Sequence, residues 1–253
     1  MIKTPAQIAV MREAGRLLGQ VFSMLDKRVG AGQSTLELDA AVEAFIRNDL
    51  QARPASLGQY DYPFSINTSI NEVVCHGMPN AKDVLKDGDI VNIDITLEKG
   101  GFIADSSKMY MIGAVAPKAR RLVEQTFEAM WAGIRQVKPG ARLGDIGHAI
   151  QSHAQANGYS VVREYCGHGI GRQMHEEPQI LHFGRPGTGM ELREGMVFTI
   201  EPMLNQGSAK VRSLKDGWTV VTKDNSLSAQ WEHTVAVTAD GFEVLTLQHQ
   251  TGE

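Results

Sequence analysis

The sequence predicts an α+β fold made of two similar halves, with helices covering one face of a largely antiparallel sheet. Three observations carry this. An order of helix, helix, strand, strand runs through about residues 1–115 and recurs through about 116–253. An apolar run that opens on a charged residue plus glycine and closes on a carboxylate occurs once per half. These runs are Asp87-Gly88-Asp89-Ile90-Val91-Asn92-Ile93-Asp94 and Glu194-Gly195-Met196-Val197-Phe198-Thr199-Ile200-Glu201. Each is followed by a second strand with another acid, Asp105 in Gly-Phe-Ile-Ala-Asp-Ser-Ser and Glu232 in Gln-Trp-Glu-His-Thr-Val-Ala-Val.

Thr4-Pro5 supplies an N-cap and a proline at the first helical position, and Ile8, Met11, Leu18, Val21, Phe22 and Leu25 form the buried stripe of a first helix. After a turn at Val29-Gly30-Ala31-Gly32, the pattern Ser34-Thr35-Leu36-Glu37 is a capping box. It starts a second stripe of Leu38, Ala41, Val42, Phe45 and Ile46. Beyond the strands of Asp94 and Asp105, residues 117–137 carry a stripe through Leu122, Phe127, Met130 and Ile134. A Pro139-Gly140 turn then leads to a helix from Leu143 to Ala156 that stops at Gly158. Val29, Gly32, Leu38, Ala41 and Val42 align with Val137, Gly140, Ile146, Ala149 and Ile150, so the repeat is visible residue by residue. Such a duplication predicts strands that join around a pseudo-twofold axis, within one domain spanning residues 1–253.

Composition bounds the function. A chain of 253 residues with 42% hydrophobic content has enough apolar side chains for a large core and shows no bias towards disorder. A formal charge of −4 without a basic run argues against nucleic acid as a partner. The first 16 residues lack the apolar stretch and cleavage site of a signal peptide, and no window reaches the ~18 apolar residues of a membrane span. The expected location is the cytoplasm. Cys75 and Cys166 stand far apart and outside any Cys-x-x-Cys spacing, so reduced thiols are expected rather than a disulfide or a zinc knuckle.

Four acids on strands require a physical reason, because a buried unpaired carboxylate costs several kcal/mol unless it takes a proton or finds a cation. A single acid at a strand end is ordinarily satisfied by a turn amide. Four in repeated contexts favour a shared site instead. Strand alternation puts Asn92, Asp94 and Thr96 on one face, and likewise Thr199 with Glu201 and Glu232 with Thr234. With His168 of Cys166-Gly167-His168-Gly169-Ile170-Gly171 as a nitrogen donor, the acids predict a divalent metal site of two ions. Carboxylates plus one imidazole suit Mn²⁺, Fe²⁺, Co²⁺ or Zn²⁺, about 3.5 Å apart where acids bridge them. Such ions bring a water's pKa near neutrality and polarise a carbonyl. The glycine-rich phrase lacks the spacing and lysine of a nucleotide loop. His148, His153, His182 and His249 are expected to be structural, and His233 to point away from Glu232. Cys75 is expected to fill a small buried site.

The chain resembles the type I methionine aminopeptidases of the M24 metallopeptidases over essentially its full length. The resemblance rests on Asn71-Glu72-Val73-Val74-Cys75-His76-Gly77, Val91-Asn92-Ile93-Asp94-Ile95-Thr96, Gly101-Phe102-Ile103-Ala104-Asp105-Ser106-Ser107-Lys108-Met109, Gly167-His168-Gly169-Ile170-Gly171-Arg172, His175-Glu176-Glu177-Pro178, Phe198-Thr199-Ile200-Glu201-Pro202 and Glu232-His233-Thr234. It implies the pita-bread fold, a duplicated α+β architecture. By that similarity Asp94 chelates one metal, Asp105 and Glu232 bridge both, and His168 and Glu201 complete the second. Glu201 would also carry a proton from water to the leaving amine, with His76 and His175 at the scissile amide. The implied activity is removal of an N-terminal methionine from short peptides or nascent chains at the ribosome when the next residue is small. A monomer is implied, together with a monovalent cation, Na⁺ or K⁺, near Asn71, Val73 and Ser228. In the methionine pocket Tyr62 and Trp218 match the family. Asn67, Ser56, Gln59 and Met174 depart from its usual cysteine, cysteine, tyrosine and phenylalanine. Methionine is still expected to be preferred, because a flexible Met174 suits a long unbranched guest.

Two other readings share the resemblance. X-Pro aminopeptidases and prolidases are expected to carry a long N-terminal domain, against which a helix beginning at residue 4 argues, as does the Cys-His-Gly-x-Pro phrase at 75–79. A non-catalytic pita-bread peptide-binding protein would have lost metal donors, and all five donors are present here.

Overall fold

The structure is a computed structural model and describes residues 1–248. Its first half contains α1 (Pro5–Leu25), α2 (Thr35–Ala44), β1 (Arg53–Pro54), β2 (Ile66–Ile70), β3 (Val73–Cys75), β4 (Ile90–Lys99) and β5 (Phe102–Met111). Next come α3 (Pro117–Ile134), α4 (Leu143–Ala156), β6 (Ser160–Val161), β7 (Gly167–Gly169), β8 (Glu176–Ile180), β9 (Val197–Ile200) and β10 (Met203–Asn205). The chain closes with β11 (Val211–Ser213), β12 (Val220–Thr222), β13 (Ser228–Gln230), β14 (His233–Val237) and β15 (Phe242–Val244).

Local chemistry explains where the helices begin. Thr4 caps α1 by accepting from the Gln7 amide, and Gln7 returns the bond to the Thr4 amide at 2.9 Å, completing a capping box. Ser34 and Glu37 do the same for α2. After Ala44 the backbone loosens into a π-helical turn, Phe45–Asp49, which keeps Ile46 in the core. The α3 helix stops at Ile134, three residues before the sequence expectation. Gln136 and Val137 there bond to the carbonyls of Gly133 and Ile134, the tighter pattern that closes a final turn.

Every strand pair is antiparallel. The ladder is divided into four groups, of which two matter for the site: β1-β4-β2 with β5 on the far side of β4, and β15-β14-β9-β7-β8. Alternation decides what each face carries. Val91, Ile93, Ile95 and Leu97 of β4 pack into a core with α1 and α2, which leaves Asn92, Asp94 and Thr96 on the other face. Phe198 and Ile200 of β9 pack with α3 and α4, and Thr199 faces the opposite way. Each half therefore turns its apolar face to its own helix pair and its polar face inward.

The halves are joined at the acids themselves. Ser107 of β5 and Glu232 exchange two main-chain hydrogen bonds at 3.4 Å. Ser106 Oγ donates to the Glu232 carbonyl at 2.6 Å, and Thr234 Oγ1 donates to the Asp105 carbonyl at 2.7 Å. The segment after β15 crosses α1 at Gly15, where an added Cβ would lie 2.0 Å from the Leu245 carbonyl oxygen, so glycine is required by close approach.

A buried ion pair also holds α1 to β5: Lys108 Nζ lies 2.6 Å from Asp26 Oδ1, with 10% and 7% of the two side chains exposed. Removing one member of such a pair strands the other charge. Asp26→Ala is expected to lower the unfolding free energy by about 3–5 kcal/mol in denaturant titration, and Asp26→Leu with Lys108→Met to recover most of the loss.

Candidate active site and metal centre

The two inward polar faces enclose a cleft of about 700 Å³. Asp94 projects from the middle of β4 and Asp105 from β5. His168 comes from β7, Glu201 from just past the end of β9, and Glu232 from the short link between β13 and β14. The expectation that Glu201 and Glu232 sit on strands is corrected by one residue in each case. Pro202 has no N–H to continue the β9 ladder, and Glu232 makes only its isolated bridge to Ser107.

All five donor residues line this cleft, as do His76, His175, Tyr62, Asn67, Met174 and Trp218. Donor atoms of Asp105, His168 and Glu232 lie within 4.8 Å of one another. His168 Nε2 is 3.7 Å from Asp105 Oδ2 and 3.5 Å from Glu201 Oε1. Its Nδ1 faces the Gly169 carbonyl at 3.0 Å, and since a carbonyl only accepts, the proton is on Nδ1. The Nε2 lone pair therefore points at two carboxylates. Burial, followed by the charge of His175, lowers the His168 pKa to about 4, so these contacts are not ion pairs at neutral pH.

Such a set repels itself. Burial is the largest cause raising the pKa of Asp94, Asp105, Glu201 and Glu232. The charges of Asp94 and Glu201 raise Asp105 further, and those of Asp105, Glu201 and Asp94 raise Glu232. Asp105 Oδ1 is buried without a hydrogen-bond partner among the described residues. Four carboxylates and an imidazole lone pair, with no lysine or arginine among the cleft-lining residues, fit divalent cations of hard or intermediate character.

The backbone presents His168 by close packing. Gly167 and Gly169 flank it, and an added Cβ at either would lie within 2.3 Å of a neighbouring carbonyl oxygen, of Thr199 and Glu177 respectively. Thr199 Oγ1 accepts from the His168 amide at 3.0 Å and donates to Glu201 Oε1 at 2.8 Å, which orients both donors through one hydroxyl. Gln230 Nε2 reaches Glu201 Oε2 at 3.4 Å.

His76 and His175 stand on opposite elements. His76 follows β3 with φ +55 and meets the edge of Tyr165 at 5.4 Å, and burial lowers its pKa to about 4. His175 precedes β8, 4.4 Å from the His168 ring, with Tyr60 stacked 5.8 Å away. The remaining wall is Tyr62 against Trp218, at 4.9 Å, with Met174 and Asn67. Asn67 pairs in register with Asp94, and Ser56 Oγ lies 2.6 Å from Thr96 Oγ1.

Asn71 and Ser228 meet outside the cleft, where the Ser228 amide donates to the Asn71 carbonyl at 2.9 Å, and Val73 opens β3 two residues on. His148 and His153 contact Ser152 and Gln125, away from the acids. His233 turns to Thr246 and Ser106. His182 touches the Glu201 amide. Cys75 is buried in the cleft wall, which raises its pKa. His249 lies outside the described residues.

Gln230, Tyr60 and Tyr165 also line the cleft, beyond the residues expected from the sequence. Gln230 was within reach, because it stands two residues before Glu232 and so shares its face. Tyr60 and Tyr165 had no local signal; loop packing alone brings them beside the two histidines.

Residues 9–239 match metallopeptidase family M24. The chain is 53% identical over 247 residues to the methionine aminopeptidase of Escherichia coli (strain K12), covering 98% of this chain and 94% of that protein. The crystal structure of methionine aminopeptidase from Rickettsia prowazekii superposes with a TM-score of 0.95 at 51% identity, covering 98% of this chain and 99% of that one. A prolidase structure from Pyrococcus horikoshii reaches 0.77 at 21% identity, covering 99% of this chain and 64% of that one, a likeness of fold alone.

The raised carboxyls have a measurable consequence. Above about pH 7 the buried histidines are neutral in both states, and the raised carboxyls make the folded metal-free protein bind more protons than the unfolded chain, so its stability should fall as pH rises until they have ionised. Mn²⁺ should remove that loss and, at a hundred times its Kd, add about 2.7 kcal/mol. Thermal unfolding between about pH 7 and 8.5, with and without Mn²⁺, checks both expectations. A flat profile that ignores the metal would contradict them.

Proposed function

The chain belongs to metallopeptidase family M24, and on that premise we infer that it is a metal-dependent aminopeptidase that removes the N-terminal methionine from peptides whose second residue is small. The observation that carries this is the convergence of Asp94, Asp105, His168, Glu201 and Glu232 with His76 and His175 in one cleft beside an aromatic and thioether wall. The fold is the pita-bread fold, and we read the chain as a single domain with halves of about 1–115 and 116–253.

Asp94, Asp105, His168, Glu201 and Glu232 would hold two divalent cations. When bound, the cations supply Lewis acidity that brings a water towards ionisation near neutral pH and polarises the scissile carbonyl. Co²⁺, Mn²⁺, Fe²⁺ and Zn²⁺ all suit the donor set. Glu201 takes the proton from the attacking water and passes it to the amide nitrogen as the carbon–nitrogen bond breaks, which releases methionine and a shortened peptide. His76 and His175 hydrogen-bond the scissile amide and steady the oxygen as its charge develops. The free α-amine must lie beside the acids, so only the first residue of a peptide is cut. Tyr62, Trp218 and Met174 enclose an unbranched apolar side chain. Asn67 puts an amide into that wall, and we expect it to relax side-chain stringency without touching the chemistry.

A Na⁺ or K⁺ ion near Asn71, Val73 and Ser228 belongs to the same reading. In support, Asn205, the register partner of Ser228, keeps a buried side-chain oxygen without a partner among the described residues. No helix among the described residues is long and apolar enough to cross a membrane. We take the setting to be the cytoplasm, the protein to act as a monomer without nucleic acid, and the substrates to include nascent chains at the ribosome.

Release of the first residue from Met-Ala-Ser, Leu-Ala-Ser and Ala-Pro-Ala in Mn²⁺ or Co²⁺ tests the assignment. Methionine should be released fastest, and faster cleavage of either other peptide would refute it. Glu201→Gln should lower kcat by about 10²–10⁴-fold.

A further inference from the structure

Glu201 leaves its strand where the ladder has nothing to offer its amide. The β9–β14 pairing ends at Ile200 opposite His233, and Pro202 has no N–H of its own. The Glu201 amide is satisfied instead by the imidazole of His182, 3.2 Å from N to Nε2. His182 is 1% exposed. Because an amide only donates, Nε2 is the acceptor, and the proton of the neutral ring is on Nδ1. That Nδ1 is buried without a hydrogen-bond partner among the described residues.

Keeping a polar ring here has a cost, since an orphaned buried donor is destabilising. An apolar side chain of similar size would avoid that orphan, but it would leave the Glu201 amide unpaired. The segment that presents His182 is itself held in place. At Gly147 of α4 an added Cβ would lie 2.5 Å from the Phe183 carbonyl oxygen and 2.6 Å from that of Leu181, so the backbone on both sides of His182 rests directly on the helix. From the other direction, Thr199 Oγ1 and Gln230 Nε2 hold the Glu201 carboxylate. Main chain and side chain of Glu201 are thus fixed by separate groups.

We propose that His182 is a positioning residue for Glu201, its Nε2 fixing the direction in which the chain leaves β9 and thereby aiming the carboxylate at the His168 side of the cleft. His182 touches neither substrate nor the reacting atoms, and acts through the main chain. The inference rests on the aminopeptidase reading above.

Three variants test it: His182→Leu and His182→Phe, which remove the acceptor while filling the space, and His182→Asn, which supplies a side-chain oxygen. Each is measured for kcat and KM on Met-Ala-Ser, for Mn²⁺ affinity by calorimetry, and for thermal unfolding. The apolar variants should lose about tenfold or more in kcat and in Mn²⁺ affinity with KM little changed, and His182→Asn should recover most of both. Folded apolar variants with kcat and Mn²⁺ affinity within about twofold of wild type would overturn the proposal. So would an Asn variant as impaired as the apolar ones, or loss of folding in both apolar variants, which would make His182 purely structural. If wild-type protein releases no methionine, the aminopeptidase reading fails instead, and Mn²⁺ affinity across the variants still reads the positioning role.

Discussion

Burial of like charges is the constraint on which the structure depends. Asp94, Asp105, Glu201 and Glu232 come from four separate segments and face one space; burial raises the pKa of each, and the charges of neighbouring acids raise Asp105, Glu201 and Glu232 further. A fold that merely tolerated this would be expected to let the halves separate. Here the halves are fastened where the strain is greatest, through Ser107 with Glu232, Ser106 with the Glu232 carbonyl, and Thr234 with the Asp105 carbonyl. These bonds use main-chain groups and hydroxyls, so the carboxylate oxygens stay free for ligands.

The same logic extends to the partners of the donors. Thr199 ties the His168 amide to the Glu201 carboxylate, the Gly169 carbonyl sets the His168 tautomer, and the Glu201 amide rests on His182. Thr199, Gly169 and His182 do not themselves line the cleft. Each instead removes a rotational freedom that a carboxylate or imidazole would otherwise lose on binding metal. The helix pairs contribute at longer range by taking the apolar faces of β4 and β9, which leaves alternation to deliver Asp94 and Thr199 inward.

Much of this was legible in advance. Capping chemistry at Thr4-Pro5 and Ser34-Glu37 located two helix starts, and period-two alternation identified the polar face of β4. The apolar stripe of α3 runs three residues beyond the helix, because it continues through a turn whose hydrogen bonds have already tightened. Glu201 and Glu232 lie one residue outside the strands that the sequence pattern assigns them to, because a proline and an isolated bridge take them out of the ladder. Residue type alone marks His182 as structural, and its partner, an amide 19 residues away, leaves no signal in the sequence.

What the sequence determined by itself is local or repetitive: element types, the duplication, and which residues alternate onto a polar face, all set by bonds and sterics within a few residues. What the tertiary structure alone decided is convergence. That His168 Nε2 lies 3.7 Å from Asp105 and 3.5 Å from Glu201, or that Tyr60 leans on His175, depends on how two halves dock and how loops fold over the cleft. Those distances come from packing between segments remote in the chain, and no spacing along the chain encodes them.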